Sequence, residues 1–334
     1  MVNIVEFAQV LDLLDRVASP SIVDRALRSA NLSRKVVRET QGFLPYRLEA
    51  SVVEYVARAL GDDQLGARLA QQFDYAAYDA YARYVLGATD LATAISRGQR
   101  AFPMISPGSE IVLRKRDGHL LVGRKSELDR MIGHKHLDDG AIVIIGQVMR
   151  HFLGPNWQPA WIEVVGEGAA RSSYLEDMMG APLRAGAAMP AVAVRFGDLR
   201  AANPSPPAPQ EIVGLAELPM MMGVRPPKST ADIVRYALAT QFALGDLSQD
   251  AVARQLSMGR RNLQRALESE GDSFREVKAR FIESRARTLL SETDLDIESV
   301  ARLLGYDEPK SFQRAFRKWT GQTPHSYRAQ ALRL

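Results

Sequence analysis

Residues 250–256 read DAVARQL and residues 298–304 read ESVARLL, so one seven-residue pattern returns after 48 positions. Leu263-Gln264-Arg265-Ala266-Leu267 then returns as Phe312-Gln313-Arg314-Ala315-Phe316, 49 positions on. The one-residue slip falls between the paired segments, where a turn absorbs an insertion. Two short helices joined by a turn form a helix-turn-helix, and the spacing predicts that unit twice. In the second helix of each unit, Leu263 and Leu267, or Phe312 and Phe316, stand one turn apart and face a core. That leaves Arg261, Gln264, Arg265 and Glu268 on or near the far side of one helix, and Lys310, Gln313, Arg314 and Arg317 on the other.

An arginine fork matches guanine O6/N7, and a glutamine amide matches adenine N6/N7. A lone Gln-Arg pair on a helix is ordinary solvated surface. The same pair at equivalent places in a duplicated helix-turn-helix predicts a reader of double-stranded DNA. Phe274–Leu290, taken as one helix, is about 25 Å long. It suits two recognition helices set about one DNA turn apart, roughly 34 Å.

Around this repeat, everything downstream of Ser229 has helical spacing: Asp232–Ala243, Gln249–Leu256, Arg260–Ser269, Phe274–Leu290, Ile297–Leu304 and Ser311–Trp319. Upstream stands a proline cluster, Pro204, Pro206, Pro207 and Pro209, followed by Pro219 and Pro226-Pro227. Prolines remove backbone donors and fix φ, so the stretch is neither a long helix nor a central strand. It reads as a linker, packed in part through Met220–Met222. The expected organisation is an N-terminal domain over 1–205, a Pro-rich linker over 206–228, and a DNA-binding domain over 229–334.

The first of these reads as α+β. Helices are expected over Ile22–Ala30, Ser51–Leu60 and Tyr75–Leu86, and another opening at Ile142–Ile145 and running through Arg150. Ile111–Lys115 and Leu120–Arg124 flank Asp117-Gly118, a strong hairpin signal. Trp161–Val165 and Val192–Phe196 read as further strands. The whole is therefore an α+β N-terminal domain followed by an all-α domain with two helix-turn-helix units joined by a long helix.

Composition narrows the function. The chain has 334 residues, 46% hydrophobic and 25% charged, with no cysteine. That is ordinary globular composition, and it excludes disulfides, thiolate catalysis and cysteine-based metal sites. The apolar runs are too short to span a membrane, and the N-terminus lacks the pattern of a secretion signal, so a soluble cytosolic protein is expected. The net charge of +4 is too small to argue for a polyanion partner by itself. Nucleophile-elbow, phosphate-loop, dinucleotide and zinc-protease motifs are missing. Glu163, Glu167, Glu176 and Asp177 carry no signalled pairing, so no enzyme is expected.

At this point the residues resemble a known family. The span Asp232–Arg328 resembles the DNA-binding domain of AraC/XylS-type transcriptional regulators, most specifically in SVARLLGYDEPKSFQRAFRKWTGQTP (299–324) and the closing Ser326-Tyr327-Arg328. The resemblance implies base contacts from Arg261, Gln264 and Arg265 in the first recognition helix and from Lys310, Gln313 and Arg314 in the second. It implies phosphate contacts from Arg260, Ser311, Arg317 and Lys318. Pro309 and Ser257-Met258-Gly259 depart from the usual pattern. The first 200 residues more loosely resemble the arabinose-binding-like regulatory domain of one branch of this family. The resemblance rests on Trp161–Val165, Tyr174-Leu175-Glu176-Asp177, Pro182-Leu183 and Val192–Phe196. It implies a bound small-molecule effector and a homodimer, and a bacterial activator that meets RNA polymerase.

Four residues are candidates for the effector site: Tyr78 and Tyr81 of the tyrosine repeat 75/78/81/84, Arg114, and His136. Aromatic stripes are more often core, and clustered cations on a hairpin more often solvated. His134 and His136 form an H-x-H pair, too few ligands for a metal, so neither metal nor cofactor is expected. Two rival readings are a regulator controlled by a protein partner and an enzyme fused to a DNA-tethering domain. The missing catalytic motifs weigh against the second.

Overall fold

Asp117 (φ 48°) and Gly118 (φ 72°) both take the left-handed conformation in the computed structural model, which describes residues 1–126, 131–166, 172–223 and 225–331. That is the backbone of a type I′ turn, whose twist closes a two-residue hairpin. The described residues divide into two units, Met1–Pro226 and Pro227–Leu334.

In the first unit a short ribbon pairs β1 (Val2–Asn3) with β2 (Phe43–Leu44). The hairpin strands are β3 (Ser109–Arg116) and β4 (His119–Ser126). With β5 (Ile162–Val165), β6 (Leu183–Ala187) and β7 (Ala191–Arg195) they form a five-stranded sheet in the order β3-β4-β7-β5-β6. All pairs are antiparallel except β5–β6. β7 is central, and Ala191, Val192, Ala193 and Val194 are all fully buried, which explains its unbroken apolar run. β6 escapes a reading from sequence because its middle is exposed and its pattern does not alternate.

Several helical expectations need correction. The helix expected from Ile142 begins at His134 and runs to Leu153. Its first turns hold His136, Asp138 and Asp139, polar side chains that are nonetheless buried. Glu54, Arg124 and Lys135 meet them there. The helix Leu65–Gln72 packs against it so closely that a Cβ on Gly66 would lie 2.1 Å from the His136 carbonyl oxygen. Tyr75–Leu86 is not one helix. Asp79 takes φ 43° and ψ −110° and separates a 3-10 turn, Tyr75–Tyr78, from a helix, Ala80–Leu86. The break gathers the rings of Tyr75, Tyr78 and Tyr81, with centroids 5.5 to 6.2 Å apart. Tyr84 instead faces the guanidinium of Arg97.

The Pro-rich stretch is anchored to this unit. Asn203 Nδ2 donates to the carbonyls of Leu86 and Ala88, both at 2.7 Å, and Val213 and Leu218 are buried. Met220, expected to help pack it, is 80% exposed.

The second unit is helical throughout its described residues: Thr230–Leu244, Gln249–Gln255, Arg260–Ser269, Phe274–Glu292, Ile297–Leu303, Pro309–Thr320 and Pro324–Ala331. The sequence repeat is also a repeat of hydrogen bonds. Ser248 Oγ accepts from Ala251 N, and Asp296 Oδ1 accepts from Ser299 N, at the same offset. After each first helix, Ser257 N donates to Arg254 O and Met258 N to Ala253 O. Gly305 N and Tyr306 N repeat this with Arg302 O and Ala301 O. Both turns place one residue in the left-handed region, Ser257 at φ 54° and Gly305 at φ 80°. Leu263, Leu267, Phe312 and Phe316 are fully buried in the shared core.

Serine bears a steric penalty in that conformation that glycine does not, partly offset by glycine's greater chain entropy. Ser257→Gly is expected to stabilise the C-terminal unit by about 0.5–1 kcal/mol. Denaturant unfolding of the full chain checks this, and a loss of stability would contradict it.

Candidate functional site

The exposure of the side chains expected to face DNA follows from the cores beneath them. Burying Leu263 and Leu267 leaves Arg261, Gln264 and Arg265 exposed on the Arg260–Ser269 helix, and burying Phe312 and Phe316 leaves Lys310, Gln313 and Arg314 exposed on the second. Several are already oriented along their own helix. Arg265 Nη2 donates to Asn262 Oδ1 at 2.7 Å, Gln264 Nε2 to Glu268 Oε1 at 2.9 Å, and Arg314 Nη2 to Ser311 Oγ at 3.2 Å. Asn262 went unnoticed in the sequence, although its i,i+3 spacing to Arg265 is legible there. Arg260 faces Asp250 at 3.8 Å. The side chains of Arg261, Lys310, Gln313, Arg317 and Lys318 make no hydrogen bond or ion pair among the described residues. Pro309 occupies the first turn of its helix, where its missing N–H leaves nothing unsatisfied.

The first unit contains a cavity whose empty space, open solvent included, is about 720 Å³. Seven polar side chains line it: Glu6, Tyr46, Glu49, Tyr78, Ser106, Arg124 and His136. Glu6 comes from the helix Ile4–Val17, and Tyr46 and Glu49 from Tyr46–Leu60. Tyr78 donates to Glu6 Oε2 at 2.8 Å. Arg124, 5% exposed on β4, reaches the Tyr46 hydroxyl and Asp138 Oδ1, the latter at 3.2 Å. Glu49 is 1% exposed, and its Oε2 has no hydrogen-bond partner. Burial pushes the Glu6 carboxyl up to about 6, against the lowering pull of Tyr78 and Arg124. Burial, and then the charge of Glu6, push Glu49 well above the usual carboxylate range.

Of the four effector candidates, Tyr78 and His136 line this cavity, and Tyr81 lines an adjoining one of about 510 Å³ that shares Tyr78. Arg114 is exposed on β3 and lines neither. The buried arginine is Arg124, which the sequence reading passed over as the end of a hairpin strand. His136 has both ring nitrogens engaged: Nδ1 accepts from Gly66 N, and Nε2 lies 3.2 Å from Glu54 Oε2. Burial, then Lys135, lowers its pKa. The other histidine of the pair, His134, contacts the Met131 carbonyl through Nδ1. Among the scattered carboxylates, Glu163 receives Arg116 and Trp161, Glu176 receives the Leu183 amide, and Asp177 is exposed. Glu167 lies outside the described residues.

Two helix-turn-helix units in one chain, beside an α+β unit with an internal cavity, define a DNA-binding regulator. The family described as the arabinose-binding domain of AraC transcription regulators matches residues 23–203, and a helix-turn-helix domain family matches residues 252–330. The chain belongs to the AraC family of transcriptional regulators. The ornithine utilization regulator of Pseudomonas aeruginosa is 25% identical over 326 residues, covering 95% of this chain and 94% of that protein. The regulator VirS of Mycobacterium tuberculosis is 39% identical over 85 residues, 25% of each chain. The crystal structure of the regulator CdpR from Pseudomonas aeruginosa aligns over 92% of this chain and 97% of that one, at 20% identity and a TM-score of 0.42. Among the described residues no helix is long and apolar enough to cross a membrane.

The Glu6 shift has a sign that can be measured. A carboxyl that folding keeps protonated favours the native state fully below its unfolded pKa of 4.5, and that contribution is lost as pH rises through about 6. Glu6→Gln is therefore expected to lose less stability than the wild type between pH 4.5 and 6.5. Thermal melts across that range check it, and identical slopes would contradict it.

Proposed function

We propose that this AraC-family regulator is an activator whose N-terminal unit binds a small organic effector and whose C-terminal unit reads two successive major-groove segments. The observation that carries the DNA assignment is the same Gln-Arg pair exposed at equivalent places on both second helices. Arg261, Gln264, Arg265, Lys310, Gln313 and Arg314 read base edges. Arg260, Ser311, Arg317 and Lys318 meet phosphates. The cavity supports effector control, because a unit built only for packing would fill such a volume with apolar side chains. The ligand's influence passes through the 206–228 segment as altered packing or freedom, since its prolines bar a continuous helix. The protein works in the bacterial cytoplasm as a homodimer formed through the N-terminal unit, and RNA polymerase is its partner at the promoter. That a relative sharing nearly its whole length is named for ornithine utilisation agrees with a metabolite as the signal.

Replacing Arg265 or Arg314 by Ala is expected to cost about 1–3 kcal/mol on the cognate site and to relax preference at particular base pairs. Lys318→Ala should weaken all sequences alike and flatten the slope of log K against log salt by about 1. Equal losses on cognate and random DNA for Arg265→Ala would overturn the assignment.

Effector control is tested by adding a metabolite mixture to the full chain and following both its melting and its DNA binding. At least one metabolite should alter both. Ala141→Leu, which adds volume at the cavity wall, should abolish the response. DNA binding that ignores every metabolite would favour control by a protein partner.

A further inference from the structure

We propose that the cavity of the N-terminal unit takes a ligand bearing a protonated aliphatic amine, seated against the carboxyl groups of Glu6 and Glu49; the proposal rests on the reading of this unit as the effector domain. The argument begins with the charges that face the cavity. Arg124 is the one permanent cation in its lining among the described residues. Asp138 matches that charge at 3.2 Å, and the other terminal nitrogen of Arg124 meets the Tyr46 hydroxyl. His136 supplies no positive charge, because burial lowers its pKa and Glu54 and the Gly66 amide occupy its nitrogens. Glu6 and Glu49 therefore share with Asp138 the single positive charge of Arg124, and neither makes an ion pair of its own with it.

Their hydrogen bonding is incomplete as well. Glu6 receives one donor, the Tyr78 hydroxyl. Glu49 is 99% removed from solvent, yet its Oε2 has none. A buried carboxylate oxygen without a donor is costly, and native proteins rarely keep one without a reason. An ammonium group brings three N–H donors and the missing positive charge together. The raised pKa values of both carboxyls agree, since they show what the cluster does when no such cation is present.

The rest of the wall defines the ligand's body. Val10, Val53, Leu69, Phe73, Ile144 and Ile145 surround the polar end with apolar surface. A short methylene chain gains from that surface, at about 0.8 kcal/mol for each buried CH₂. A polyhydroxylated ligand would leave most of its hydroxyls without partners there. An anionic ligand would meet two carboxyls of its own sign, and both terminal nitrogens of Arg124 are already engaged by Tyr46 and Asp138, leaving only its Nε without a partner.

The test uses the full chain at neutral pH with three probes of equal length: 1-aminopentane, 1-pentanol and pentanoate. The amine is expected to raise the melting temperature of the N-terminal transition, and the alcohol and the acid at the same concentration are not. Glu49→Gln keeps the side-chain volume and removes a buried acid. Calorimetric titration should show it weakening amine binding by about tenfold or more, the worth of one charge-assisted hydrogen bond. Glu6→Gln should weaken it similarly, and Glu110→Gln, on β3 outside the cavity lining, should not. Alcohol or acid binding as tightly as amine, or amine binding unchanged in Glu49→Gln, overturns the proposal. If a metabolite alters DNA binding, Ala141→Leu abolishes that effect and no amine binds, the ligand class is wrong while the effector reading stands. If the amine binds through Glu49 but DNA binding ignores it and every metabolite, the amine site stands and the effector reading falls.

Discussion

The N-terminal unit depends on how charge is buried where β4, the helix Tyr46–Leu60 and the helix His134–Leu153 meet. Arg124 and Asp138 are both nearly inaccessible, and they face each other there with Tyr46 completing the set. Taking such a pair out of water is expensive, and removing either partner strands the other at a typical cost of about 3–5 kcal/mol. The arrangement of the three elements pairs both terminal nitrogens of Arg124 and leaves its Nε without a partner. The close approach of Gly66 to the His136 backbone fixes a fourth, because no side chain larger than hydrogen fits between the helices.

The cavity is a consequence of that arrangement. Side chains that answer one another's charge cannot also fill the volume beside them, and the surrounding Val, Leu, Ile and Phe residues hold it open from the other side. Glu6 and Glu49 are left on its wall with less hydrogen bonding than burial demands. In the proposed reading, a matching ligand relieves the unfavourable electrostatics of this site. A unit with that property can serve as a sensor.

The C-terminal unit is organised on another principle. Its two helix-turn-helix units repeat caps, turns and buried pairs at nearly constant offsets. Each element is specified by residues close to it in sequence, and the exposed side chains of both second helices are simply the ones the core does not claim. Its long central helix of 19 residues runs about 28 Å at the standard rise.

That contrast explains what could be read from the sequence and what could not. The repeat, the bounds of the Arg260–Ser269 helix, the Asp117-Gly118 hairpin and the exposed Gln-Arg pairs are all legible, because each rests on periodicity or turn chemistry within a few residues. The early start of the His134–Leu153 helix is not legible, since His136, Asp138 and Asp139 look like surface until Glu54, Arg124 and Lys135 are brought to them. The break at Asp79 is hidden for a similar reason: packing, and not local preference, holds a non-glycine residue at positive φ. Arg124 reads as a strand end, and Glu49 lies before the helix expected from Ser51, which in fact begins at Tyr46. The sequence by itself determined the duplicated reading helices, because a helix face is set by residues three and four apart. Only the tertiary structure decided the cavity, because its polar wall draws on residues from position 6 to position 136, and burial between such distant segments leaves no local pattern.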